Sequence, residues 1–352
     1  MCPRSETVSI ASGQVPRGMS AQQVPGLVSV IIPTYNRSRL LLDAMKSVQT
    51  QTYRPIELVV VDDGSMDDTA DVVAAFREQV AGDPGMTVRG LAQSNRGVAA
   101  ARNSGLANSC GEFIQYLDSD DRLYPRKIEI HAEAMIADNE IDYVYSPIEF
   151  CDSGGRWELL GRDIPLGKDA DWAARYCWCT LGALYRRRAC LRVGMWDEDL
   201  RAAEDLVYQA RVLLSGLRRK FIPDVCGYVP GHSGPRLSMG DSYRMAQFRE
   251  LAATRIAGYL RSAGLCGRLS AAALISHLIS AGCAMRAYGD VEGWCRCKAA
   301  VRQLAKESGS YALQAAAVIQ PFLGLEAYKV LLYLNSIVRR LCRIGGRSAK
   351  EE

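Results

Sequence analysis

From residue 27 onward the chain alternates short apolar runs with amphipathic stretches. Leu27-Val28-Ser29-Val30-Ile31-Ile32 is apolar and rich in β-branched residues, and Pro33 ends it, which predicts a short buried strand. Ser38 to Gln51 carries Leu41, Leu42, Met45 and Val48 at helical spacing. Glu57-Leu58-Val59-Val60-Val61 predicts a second buried strand, stopped by Asp62-Asp63-Gly64-Ser65. A helix is expected from about Asp67 to Val80, with Asp67 or Asp68 to cap it. Met86–Leu91 predicts a third strand and Gly97–Asn108 an Ala-rich helix. Glu112–Leu117 predicts a fourth strand, running into Asp118-Ser119-Asp120-Asp121.

Strands and helices alternating at this pace imply parallel βαβ units with right-handed crossovers. Open sheets of this kind bind ligands beyond the carboxyl ends of their strands. Three of the four strands end in polar clusters: Thr34-Tyr35-Asn36, Asp62-Asp63 and Asp118–Asp121. These are expected to line one crevice. From about Ser242 the pattern turns helical, with Ala246–Ser262, Ser270–Ala287 and Val291–Lys306 rich in alanine and leucine. The expected organisation is a loose leader over 1–26, an α/β domain over 27–240 and a helical region over 241–352.

Composition changes this picture little. The chain has 352 residues, of which 48% are hydrophobic and 23% charged, as in an ordinary soluble enzyme. A net charge of only +4 gives no reason to expect a nucleic-acid partner. The basic excess sits in the tail, where ten Lys/Arg face four Glu from Arg296 onward. Within that tail Val330, Leu331, Leu334, Ile337, Val338 and Leu341 share a helical face, followed by Arg339, Arg340, Arg343 and Arg347. Such a stripe suits packing on the domain or a second copy, or lying on an anionic cytoplasmic leaflet. Ser308–Leu325, the longest uncharged run, contains Pro321 and is a poor membrane span. The twelve cysteines show no zinc-ligand spacing and read as reduced thiols of a cytoplasmic protein, which could be peripheral at the inner membrane face.

The candidate chemistry lies at the strand ends. Three carboxylates in Asp118–Asp121 suit a hard divalent cation, Mn2+ or Mg2+, that also takes phosphate oxygens; a solvated acidic turn is the alternative. Asp63 could accept from a ribose or base, or cap the following helix. Asn95-Arg96-Gly97 with Ala101-Arg102-Asn103 opens a helix with two arginines near its N-terminus, a setting that attracts phosphate. Glu204-Asp205 begins another helix, either as dipole-favoured acids or as a carboxylate poised to deprotonate a hydroxyl. His131 and His277 fall in helical patterns and read as structural. His232, in Pro230-Gly231-His232-Ser233-Gly234, could be a metal ligand or a diphosphate contact. No glycine-rich dinucleotide or P-loop motif follows the first strand.

Taken in order, Val28–Arg37, Val60–Thr69, Asn95–Asn103, Asp118–Asp121 and Glu204-Asp205 resemble the inverting glycosyltransferases of family 2. The resemblance implies a Rossmann-like GT-A fold, a mostly parallel central sheet followed by a helical C-terminal region. It also implies transfer of a sugar from a nucleotide-sugar donor, with UDP preferred, to a hydroxyl of a saccharide or lipid-linked acceptor. By resemblance Pro33, Thr34 and Tyr35 would bind the nucleotide, with Asp63 accepting from its base. Arg102 would lie near the base or diphosphate, and Asp118 at the ribose or sugar. Asp120 would hold the metal, with His232 as a further ligand. Asp205 would be the general base with Glu204 beside it. A nucleotidyltransferase and a non-catalytic nucleotide-sugar binding protein are the alternatives; the first usually carries a glycine-rich basic loop that Pro33-Thr34-Tyr35-Asn36 is not.

Overall fold

The protein is described here by a computed structural model, covering residues 23–152, 154–175, 178–231 and 242–310. In chain order, three βα units come first: β1 (Val24–Thr34), α1 (Ser38–Gln49), β2 (Ile56–Asp62), α2 (Thr69–Gln79), β3 (Met86–Ala92) and α3 (Val98–Ala107). β4 (Gly111–Tyr116), β5 (Arg122–Leu123), α4 (Lys127–Ala137), β6 (Tyr143–Tyr145), β7 (Ile148–Cys151) and β8 (Trp157–Leu160) follow. Then come α5 (Asp169–Trp172), β9 (Ala183–Arg186), α6 (Arg187–Val193), α7 (Glu204–Leu214), β10 (Arg219–Phe221) and β11 (Gly227–Val229). Three long helices close the described chain: α8 (Ser242–Ser262), α9 (Arg268–Ala287) and α10 (Val291–Glu307).

The main sheet runs β10-β6-β9-β4-β1-β2-β3. Its pairs are parallel except where β9 runs antiparallel to both β4 and β6. A strand buried on both faces needs apolar residues at nearly every position, and β1 has them from Leu27 to Pro33 except at Ser29, whose buried hydroxyl donates to Glu57. Val28, Val30 and Ile32 face α1, α2 and α4, whereas Ile31 points to the opposite side with Val59, Val61 and α3. Gly105 makes the second contact possible: a Cβ there would stand 2.3 Å from Ile31 Cγ2. Gly105→Ala is expected to lower stability by about 1–3 kcal/mol through overpacking, visible as a lower midpoint in thermal denaturation.

A second, four-stranded sheet in the order β5-β11-β7-β8 lies beside the first. Periodicity gave no notice of it, because its strands span only two to four residues. The helical region does not stand apart: Ala246 and Ile256 of α8 and Leu274 of α9 share one buried cluster with Val207 and Ala210 of α7. By length and composition α9 could cross a membrane, yet Leu274, Leu278 and Met285 are fully buried. Among the described cysteines all are free thiols.

Candidate active site

The ends of β1 and β2 are stitched into one rigid lip. The Asp63 N–H donates to the Thr34 carbonyl at 2.9 Å. Asn36 takes a left-handed conformation (φ 49°), which asparagine tolerates better than most residues. Its N–H donates to Ser65 Oγ at 2.8 Å, and its Oδ1 accepts from the Met66 N–H at 2.7 Å. Tyr35 is 46% exposed beside this lip. Thr34 is buried and its Oγ1 has no hydrogen-bond partner, so a hydroxyl sits at the strand end with bonding capacity to offer a ligand.

Asp63 ties the lip to α3. Its Oδ1 accepts from Gln93 Nε2 and from the Arg96 N–H, both at 2.8 Å, and its Oδ2 from the Gly97 N–H at 2.7 Å. The helix leaves these N–H groups without internal partners, and a carboxylate is the favourable group there. Gly97 has φ 93°, and a Cβ on it would stand 2.7 Å from Arg201 Nη1. The backbone angle therefore requires glycine, whereas the flexible Arg201 side-chain end could move aside.

Arg102, one turn into α3, is the centre of the site. It is 2% exposed. Nη2 donates to Asp118 Oδ1 at 2.7 Å and Nη1 to Glu204 Oε1 at 2.9 Å. The guanidinium lies 4.3 Å from the Trp196 ring centroid, a cation–π contact out of water. Burial works against its charge, but Asp118 and Glu204 more than offset this and raise its pKa above the ordinary value. One buried cation thus joins the end of β4 to the start of α7, with Glu204 lying 102 residues beyond Arg102 in sequence. Its terminal nitrogens face carboxylates, so the chemistry it displays is that of holding two acids together.

The acid pair opens α7 after Ala203, whose φ of 59° turns the chain sharply into the helix. Glu204 is buried, whereas Asp205 is partly exposed and its Oδ1 accepts from the Leu206 N–H at 2.8 Å. Burial, then the neighbouring charge of Asp205, push the Glu204 pKa up to about 7 against the pull of Arg102. The loop before α7 is fixed from both sides. Asn103 donates to the Trp196 carbonyl at 3.0 Å and accepts from the Trp196 N–H at 2.8 Å. Arg211 and Arg255 hold Asp197 at 3.1 and 2.9 Å. Trp196 also stacks on Tyr208, with ring centroids 3.9 Å apart. Sequence reasoning quoted Asn103 only as part of the α3 motif and gave Trp196 no role; no spacing marks the two as partners.

Asp120 is 15% exposed at its side chain and forms an ion pair with Arg37 at 2.8 Å. Among the described residues no three His, Cys, Asp or Glu side chains are grouped to hold a metal on their own. The charge balance still suits a cation, since Asp118, Asp120, Glu204 and Asp205 outnumber Arg102 and Arg37. Hard oxygen donors at a strand end, with room left for phosphate oxygens and water, are what Mg2+ or Mn2+ accepts. His232 and the 327–341 stripe lie outside the described residues. His131 is buried with Nε2 2.8 Å from Ser146 Oγ, and His277 Nε2 lies 3.2 Å from the Ala174 carbonyl. Both hold local structure away from the crevice.

Residues 29–192 match the family described as Glycosyl transferase family 2. An uncharacterised glycosyltransferase of Rickettsia conorii is 31% identical over 178 residues, 51% of this chain and 28% of that protein. The uncharacterised glycosyltransferase YibD of Escherichia coli is 30% identical over 206 residues, 55% of this chain and 58% of YibD. The chain thus spans less than a third of the length of the Rickettsia relative. Among solved structures, S. aureus TarS 1–349 in complex with UDP-GlcNAc is similar with a TM-score of 0.58 at 19% identity, covering 86% of this chain and 89% of that one. The family match ends before Glu204, so the acid pair of α7 lies beyond it.

Proposed function

Residues 29–192 are a family 2 glycosyltransferase domain with the GT-A fold, and from this premise we propose that the chain transfers a sugar from a nucleotide-sugar donor to an acceptor hydroxyl, with inversion. The observation that carries the reading is the Arg102 bridge. It ties Asp118 at the end of β4 to Glu204 at the start of α7, which supports a leaving diphosphate and a deprotonated acceptor meeting between them. Pro33, Thr34 and Tyr35 with Asp63 form the nucleotide side. Asp118 faces the ribose or sugar, and Asp205, the more exposed acid of its pair, takes the acceptor proton. Arg102 keeps Asp118 and Glu204 in register. A divalent cation held by Asp120 would supply positive charge to the departing diphosphate.

TarS binds UDP-GlcNAc on this fold, which makes UDP-sugars the first donors to test, ahead of dTDP- and GDP-sugars. The acceptor in this reading is a saccharide or a lipid-linked saccharide. Nucleotide-sugars belong to the cytoplasm, so the same reading sets the chain there, with 327–341 as the candidate contact to the inner membrane face. The test is a screen of nucleotide-sugars with the full chain. Hydrolysis or transfer from one of them should need Mn2+ or Mg2+ and stop with EDTA, and the product anomer should be opposite to the donor's. Turnover that ignores EDTA would remove the metal from the mechanism, and a retained anomer would remove inversion.

A further inference from the structure

Arg37 and Asp120 are 83 residues apart, yet their side chains meet at 2.8 Å where the residues after β1 face those after β4. Arg37 follows directly on Pro33-Thr34-Tyr35-Asn36, the lip assigned above to the nucleotide. Asp120 follows β4 in the segment assigned to the sugar and the metal. The pair therefore stands between the two ends of the donor, where a diphosphate would lie. Its side chains are 21% and 15% exposed, so neither is fully solvated nor sealed in.

The backbone around Arg37 is held firmly. Besides the Asn36 contacts, the Ser38 N–H donates to Asp67 Oδ2 at 3.1 Å and the Leu41 N–H to the Arg37 carbonyl at 2.9 Å. Any adjustment on ligand binding falls to the Arg37 side chain, which is long and flexible on a fixed base. A cation approaching Asp120 and the Arg37 guanidinium compete for one carboxylate. Once a diphosphate is present, a guanidinium displaced from Asp120 has phosphate oxygens within the same small volume, and its planar fork suits them.

We propose that Arg37 is an exchangeable counter-ion: it neutralises Asp120 before the donor arrives, yields that carboxylate to the divalent cation, and then donates to the donor's diphosphate. The inference rests on the glycosyltransferase reading and on Asp120 as the metal residue. Arg37 is in this view a donor-positioning residue that also sets the order of loading, since metal alone must displace it whereas metal with diphosphate gives it a new partner.

The test measures binding by the full chain, without turnover. Mn2+ alone is titrated by the loss of its free-ion EPR signal, and UDP by calorimetry at saturating Mn2+. Arg37→Met should bind Mn2+ alone about two- to fivefold more tightly, because a competing partly exposed ion pair has gone. The same variant should bind UDP about tenfold more weakly, and Arg37→Lys should fall between it and the wild type. An unchanged Mn2+ affinity, or an unchanged UDP affinity, overturns the exchange. Asp120→Asn separates the levels. If it loses Mn2+ while Arg37→Met behaves as wild type, the metal assignment stands and the exchange fails. If it binds Mn2+ as well as the wild type, the metal assignment itself fails and the exchange with it.

Discussion

Replacing Arg102 by Met is expected to cost about 3–5 kcal/mol of folding stability, because it leaves a buried carboxylate without its cation. The two partners respond differently. Asp118 is 33% exposed at its side chain and can turn to water, whereas Glu204 is 9% exposed and cannot. Glu204 already has its pKa pushed up to about 7 with Arg102 in place, so without it the value must rise further. The sign follows from proton counts. A carboxyl whose folded pKa exceeds its unfolded value holds more protons in the native state, so stability falls as pH rises between the two values. In the wild type that fall ends near pH 7; in Arg102→Met it continues above. The stability gap should therefore be nearly constant below about pH 6 and widen toward about pH 8, measured by urea denaturation across that range. Arg102→Lys should recover little, since an ammonium lacks the fork that reaches both acids and the flat face that lies on Trp196. A gap independent of pH would show that Glu204 is not the group left uncompensated.

This hub explains where the sequence could be read and where it could not. Val28–Ile32 and Glu57–Val61 are nearly uninterrupted apolar runs because helices cover both faces of β1 and β2, so their pattern is local and visible. The strand ends were visible for the same reason: polar clusters interrupt apolar runs at Thr34, Asp62 and Asp118. The chain starts pairing earlier than its apolar run suggests, since the Val24 N–H already bonds the Cys110 carbonyl. β7, β8 and β9 were not legible, because their order comes from partners such as Leu159 against Glu149 and Leu184 against Val144, remote in pattern if not in sequence. The site divides likewise. Arg102, Asp118 and Glu204 could each be singled out, but not their union, because an ion bridge over 102 residues leaves no periodicity. Asp63 offered a nucleotide reading and a cap on the following helix; its carboxylate holds the entrance of α3 instead, a helix further along, and this leaves the nucleotide reading a proposal.

Asp205→Asn is expected to lower kcat by about 10²–10⁴ while leaving the donor KM close to the wild-type value, the signature of a group that acts in proton transfer rather than in binding. The fold should survive the change, because the Asn side-chain oxygen can accept the Leu206 N–H as Asp205 Oδ1 does. Glu204 is the rival base, and its surroundings argue against it: it is buried and its Oε1 is held by Arg102, so a substrate hydroxyl would have to displace a strong ion pair. Its role is better matched to charge. When Glu204 ionises it places a second negative charge beside Asp205, which makes Asp205 a stronger base and keeps Arg102 in position. Wild-type kcat/KM should then rise with pH through about 7, following the Glu204 value. Glu204→Gln should flatten that limb and lower kcat by much less than Asp205→Asn. Steady-state kinetics of the two variants over about pH 5.5–8.5 decides between them: an inactive Glu204→Gln beside an active Asp205→Asn would exchange their roles. Near-wild-type activity in both variants, with the pH limb intact, would move the base to another residue.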